Sequence, residues 1–321
     1  MTARLTPAGA TWPVLRVESW ADTRDTVHMW TQIVGKLKMA GTPLVNHWWN
    51  VTFTVSARGL ATGPIGAGGR MLDAEFDFLD HELVLRTSDG GRATVALAPR
   101  TVADFYAEVA SALDQLDVTT EIQASPNEVD PAIPFAEDTT HHSYDASAAH
   151  LFWQQLIHAD RVFRLWRAGF AGKSSPVHVF WGALDLACTR FSGRTAPPHP
   201  GGAPNCADWV MLEGYSRECA SAGFWAGGQE GMFYAYSYPA PDGYADRPAG
   251  PEGARWDADL GEFVLPYEIV RTAEDPDAVL LDFLNTTYAA AADLGHWNRE
   301  LLDVNPHRLD AMIAADDTSR L

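Results

Sequence analysis

At 321 residues, with 46% hydrophobic and 20% charged side chains, the chain is long enough for about two ordinary domains and has the composition of a globular protein. No apolar run approaches the ~20 residues of a membrane span. A formal charge of −19 with no Lys/Arg-rich stripe sets it against nucleic-acid phosphates. Cys188, Cys206 and Cys219 form neither an even framework nor a C-x-x-C pair, which argues for a reducing compartment and against a structural zinc site. The start, MTARLTPAGATWPVLRVESW, has no apolar h-region, so the expected location is cytoplasmic.

In chain order, Val27, Trp30, Val34 and Leu37 recur at three-four-three spacing, which predicts a helix with one buried stripe. LVNHWWNVTFTVSARG (44–59) reads as a strand, and GPIGAGGR (63–70) as a mobile glycine-rich loop without the Gly-Lys-Ser/Thr ending of a phosphate loop. In MLDAEFDF (71–78), Leu72, Ala74, Phe76 and Phe78 alternate with acids, the pattern of a sheet with one wet face. SDGGR (88–92) turns into ATVAL, and Thr101 with Asp104 gives a capping signal for a second helix.

A linker over 124–146 follows, with HHSYD (141–145) as its end and a cap. Phe152, Leu156, Ala159, Phe163 and Trp166 then form another helical stripe. PVHVFWGALDLACTRF (176–191) reads as a strand, TAPPHPG (195–201) as a proline-stiffened loop, and GMFYAYSYP places Met232, Tyr234, Tyr236 and Tyr238 on one face. Asp275-Pro276 predicts the start of a last helix.

Residues 44–59 align with 176–191, matching Trp49 to Trp181 and Arg58 to Arg190, and TGPIGAG (62–68) aligns with TAPPHPG. The expected fold is therefore α+β, an internally duplicated helix / antiparallel sheet / helix unit, with two halves packed in pseudo-two-fold symmetry. Its parts would be a first repeat over 1–123, the linker over 124–146, a second repeat over 147–300 and a C-terminal tail over 301–321.

In this alignment Asp185 stands where the first copy has Phe53. A carboxylate among Phe180, Trp181, Leu184, Leu186 and Ala187 must pair, protonate or face a cavity. Two readings stand: an ion pair with Arg161, Arg164, Arg167 or Arg190, or a working acid/base or anchoring group. His178, on the opposite strand parity, and Glu218 are candidate catalytic partners, with His199 on the nearby loop. Arg190 or Arg194 would neutralise an anionic group, and Trp181, Tyr234 and Tyr236 would line a pocket for a small organic ligand. The spacing of His178, His199, Asp185 and Glu218 matches no established metal signature. No cofactor is specified, and the oligomeric state is left open.

The set WTQIVGK, NHWWNVT, SARG, FDFLDH, PRTVADFY, ADRVF, SPVHVFWGALDLACTRFSGR, APPHPG, GFW and LGEFVLPY resembles an uncharacterised bacterial group, domain-of-unknown-function family 5996. The resemblance spans nearly the whole chain and implies a shared full-length fold. It brings no activity, catalytic residue or cofactor with it. The expected function is that of an enzyme acting on a small polar or aromatic metabolite in a pocket lined mainly by the second repeat. The alternatives are a non-catalytic small-molecule-binding module and an acidic regulatory protein.

Overall fold

The computed structural model describes residues 11–305 and 307. Helix α1 (Ala21–Gly41) buries Val27, Trp30, Val34 and Leu37 along one stripe, as a 3.6-residue period requires. Six strands follow: β1 (Thr54–Val55), β2 (Gly59–Ala61), β3 (Ile65–Ala67), β4 (Arg70–Asp77), β5 (Glu82–Thr87) and β6 (Arg92–Ala96). Their order is β1-β2-β4-β5-β6, with β3 paired to β4. On β4, Leu72, Ala74 and Phe76 are buried, the two larger side chains each worth about 1.5–3 kcal/mol of apolar burial. Helix α2 (Val102–Gln115) begins at Thr101, whose hydroxyl oxygen accepts from the Asp104 amide.

Helix α3 (Ala146–Ala168), capped by Asp145, opens the second half. Its strands are β7 (His178–Phe180), β8 (Asp185–Thr195), β9 (Arg217–Trp225), β10 (Met232–Tyr238), β11 (Arg255–Asp257) and β12 (Glu262–Pro266). They form a second antiparallel sheet in the order β11-β12-β10-β9-β8-β7. Helix α4 (Asp208–Gly214) stands before β9, and α5 (Tyr267–Arg271), α6 (Pro276–Leu294) and α7 (Arg299–Leu302) close the described chain. Helices and antiparallel sheets so arranged belong to the α+β class. No helix among the described residues is long and apolar enough to cross a membrane.

The sheets meet edge to edge. Phe53 and Val179 exchange two backbone hydrogen bonds of 2.9 and 2.8 Å, and α3 packs beneath both β1 and β8. That junction corrects the expected alignment, because Phe53 borders the edge strand β1 whereas Asp185 begins the second strand of its meander. The two residues do not occupy matching places.

Other expectations change locally. Residues 176–191 are a hairpin rather than one strand: Trp181–Leu184 turns, with Leu184 at φ 55°, and the register pairs Phe180 with Asp185 and His178 with Ala187. Directly paired residues share a face, so His178 lies on the Asp185 face, contrary to the single-strand parity. Residues 44–59 hold a 3-10 turn (Asn46–Trp48) before β1. The glycine-rich loop contains β3, with Gly68 and Gly69 at φ 57° and 87° making the turn into β4, a geometry that glycine adopts without steric penalty.

The segment 124–146 is packed. Phe135 and Asp138 are fully buried, and the Ala103 amide donates to the Asp138 carbonyl at 3.0 Å. Of the expected tail, Leu302 accepts from the Ala171 amide at 2.6 Å; most of 301–321 lies outside the described residues.

Candidate functional site

Alternate residues of β8, β9 and β10 point to opposite sides of the second sheet. Leu186, Ala222, Phe224, Phe233 and Ala235 join the core on the helix side, where Phe233 stacks on Phe163 of α3 with centroids 6.4 Å apart. Asp185, Ala187, Thr189, Ser221, Tyr234 and Tyr236 instead floor a cavity of about 780 Å³, within the range of small-molecule sites. The 3-10 turn at 46–48, the segment 123–128 and α4 complete its walls. Trp209 and Trp225 line it while staying 60% and 38% exposed, which leaves an aromatic rim to solvent.

Asp185 has no guanidinium or ammonium partner among the described residues. The four arginines that could have paired with it are engaged elsewhere: Arg161 with Asp277, Arg164 with Asp160, Arg167 with the Ser175 carbonyl and Arg190 with the Trp166 carbonyl. Its partner is the Tyr234 hydroxyl, which donates to the carboxylate. Burial pushes the Asp185 carboxyl up to about 6, against the opposing pull of that hydrogen bond. Protein encloses the side chain, yet part of its surface faces the cavity. The ring of Tyr236 stacks on that of Tyr234 with centroids 6.2 Å apart, and the Tyr215 hydroxyl donates to the Tyr236 hydroxyl at 3.2 Å.

Two further carboxylates face the same space. Glu128, in the segment expected to be a linker, and Glu262 of β12 both line the cavity. Each is raised to about 7, first by burial and then by the negative charge of Asp185. Glu128 is exposed over part of its surface and lines the cavity. The carboxylate lies over Gly182, where a Cβ would collide with it. Glu128 also has φ 60°, a left-handed backbone that costs a non-glycine residue about 1 kcal/mol.

That strain is concentrated here. Of the eight described non-glycine residues with positive φ, four line the cavity: His47, Trp48, Glu128 and Asn205. Such residues persist where surrounding contacts over-determine them, often at ligand sites. His47 is held by its Nδ1, 2.8 Å from the Gly214 carbonyl, and by Lys173 Nζ, 2.7 Å from its Nε2. Burial lowers the affinity of both groups for protons.

A polar stripe on α1 fixes the rim. His28 Nε2 sits 2.8 Å from the Gly182 carbonyl, and Gln32 donates to the Asn127 and Gly182 carbonyls while accepting from the Asn127 amide at 3.0 Å. Lys36, one turn on, donates to the side-chain oxygens of Gln123 and Asn127. Behind Trp181 the helix carries Gly35, because any Cβ would enter the indole. The Trp181 Nε1 donates to the Val51 carbonyl at 2.9 Å.

Of the residues singled out in the sequence, Asp185, Trp181, Tyr234 and Tyr236 therefore converge, and the others do not. His178 is buried outside the cavity, 3.0 Å from the Thr52 hydroxyl through Nδ1, with Nε2 unpartnered. Burial lowers it to about 3, so it is neutral near pH 7. Arg190 points to the helix side, with its guanidinium 3.9 Å from the Trp166 ring centroid and 4.4 Å from that of Tyr288. Glu218 accepts from Arg194 at 2.7 Å and from Ser192 at 2.8 Å, while Arg194 also donates to the Gly295 and His296 carbonyls at the end of α6. His199 stacks outside the wall on Tyr215 at 4.5 Å. No group of three or more His, Cys, Asp or Glu side chains among the described residues is arranged to hold a metal ion.

The sequence profile of a family described as being of unknown function, DUF5996, matches residues 12–304. No match was found among curated proteins or among solved structures.

Proposed function

Since the chain belongs to the DUF5996 family of unknown function, we propose its role from the cavity itself: it binds a small organic molecule there, and Asp185 acts on that molecule as proton donor or acceptor, or anchors it. The observation that carries this reading is Asp185 itself, facing a cavity of about 780 Å³ with a tyrosine hydroxyl beside it and, among the described residues, no cation. A carboxyl raised to about 6 by burial exchanges protons near neutral pH, as general acid/base chemistry needs. Tyr234 orients it, and the surrounding rings offer flat apolar surfaces to a ligand.

The second reading is a binding module without turnover. It is favoured by the stacked pair Tyr234 and Tyr236, which would hold a ring without any proton transfer. One experiment separates the two: incubate wild type and Asp185→Asn with a small-molecule extract and follow every component by mass spectrometry. For an enzyme, one component is consumed and a product appears only with wild type, although the variant melts no lower than wild type. For a binder, a component is retained on the protein unchanged.

We also infer that the two helix–meander–helix units are related by duplication and pack about a pseudo-two-fold axis. The helix, antiparallel sheet, helix succession in each half and the Phe53–Val179 junction support this. On that relation Val179, not Asp185, is the counterpart of Phe53.

A further inference from the structure

The walls of the cavity carry charge of one sign. Asp185, Glu128 and Glu262 face it, and no lysine or arginine lines it among the described residues. Lys36 is itself buried, over the Trp181 ring at 5.6 Å from its centroid, and is bonded to the lining residues Gln123 and Asn127. Trp49, Trp181, Trp209, Trp225, Tyr234 and Tyr236 supply ring surface. The faces of indole and phenol rings are negative and attract cations. Carboxylates and ring faces thus act in the same direction, and an anion entering would meet repulsion without a compensating donor cluster. A bare metal ion would exchange its water for mostly carbon walls, and the three carboxylates do not converge as a metal group.

We propose that the cavity selects an organic cation, an amine or quaternary ammonium carried on a ring-sized apolar body, with the charged nitrogen held at Asp185 and Glu128 and the body against the tryptophan and tyrosine rings. This rests on the reading of the cavity as the ligand site. It replaces the anionic ligand expected from Arg190 and Arg194, both of which lie outside the walls.

The test is calorimetric titration of the full chain at pH 8 with three indoles that differ in charge: tryptamine, tryptophol and indole-3-acetate. Tryptamine should bind at least about tenfold more tightly than tryptophol, with indole-3-acetate weakest. Asp185→Asn and Glu128→Gln should each weaken tryptamine binding more than tryptophol binding and so remove most of that preference. Equal or tighter binding of indole-3-acetate, or a preference that neither variant moves, overturns the cation proposal. In that event the cavity reading still holds if Ala207→Trp, which fills the cavity from its rim, abolishes tryptophol binding without lowering the melting temperature. No binding by any of the three at millimolar concentration, or binding indifferent to Ala207→Trp, overturns both.

Discussion

Tyr234 reaches Asp185 across a residue that has no side chain. Gly223 pairs with Tyr234 on β10 and with Ala187 on β8, and a Cβ there would overlap both the Tyr234 ring and the Leu186 carbonyl. The phenol lies over that gap and meets the carboxylate of Asp185, two residues before Ala187 at the start of β8. Gly223→Ala should therefore destabilise the fold by about 1–3 kcal/mol through overpacking and separate the pair. Urea unfolding measures the first effect and probe binding the second; an unchanged midpoint would contradict this packing.

Asp185→Asn should show its effect on stability as a function of pH. Burial raises this carboxyl from 3.8 to about 6, so between about pH 4 and 6 the folded chain holds a proton that the unfolded chain has released. Stability contributed by this group falls as pH rises through that window. Glu128 and Glu262, raised from 4.5 to about 7, act with the same sign. His178 has the opposite sign, because its folded value of about 3 lies below 6.5 and its contribution is lost as pH falls below 6.5. The groups facing Asp185 are Tyr234, Glu128 and Glu262. The difference between Asp185→Asn and wild type should be small near pH 4 and should favour the variant increasingly toward pH 8. A variant markedly less stable than wild type at pH 8 would make Asp185 a structural group.

Glu128 combines a left-handed backbone with a carboxylate crowded by protein and repelled by Asp185. Asparagine tolerates that backbone better and carries no charge. Glu128→Asn should raise stability by about 1 kcal/mol while weakening binding of a cationic probe. Thermal denaturation and calorimetry on one preparation check both halves. A loss of stability would mean that the glutamate serves the fold.

The arginines should separate from the site. Arg190→Ala leaves a hole among Trp166, Phe170 and Tyr288 and should cost about 3 kcal/mol or more, with the affinity of the remaining folded protein for its ligand unchanged. Arg194→Ala removes a half-exposed clamp between Glu218 and the end of α6 and should cost about 1 kcal/mol or less. A ligand-affinity loss in either, at full folding, would return the arginines to the binding surface.

What the sequence made readable was local. The α1 stripe, the alternation of β4 and the caps at Thr101, Asp145 and Asp275 each depend on residues within one turn or one strand, and each formed as its pattern required. Asp185 stood out for the same reason, as a charge among apolar neighbours. The hairpin at Trp181–Leu184 did not, because its turn uses Leu184 in a conformation usually marked by Asn or Gly. With 176–191 read as one strand, His178 falls on the face opposite Asp185, and Asp185 is matched to Phe53, which borders an edge strand instead. Glu128 was hidden because it acquires its surroundings only when the 123–128 segment wraps onto Gly182 and Asn205. Glu262 reads as an ordinary wet-face strand residue, and only the strand order brings it to Asp185. Arg190 and Arg194 looked like ligand cations because nothing in their own strand tells which face meets helices.

The most direct measurement is a crystal structure of the chain purified from its own host, with the electron density inside the cavity compared between wild type and Asp185→Asn. The expected result is a compact organic molecule lying against Tyr234 and Trp181, with a polar atom within hydrogen-bonding distance of the Asp185 carboxylate, and its loss or displacement in the variant. A cavity closed by its own side chains, or a bound molecule seated elsewhere with Asp185 untouched, would contradict the assignment of this site.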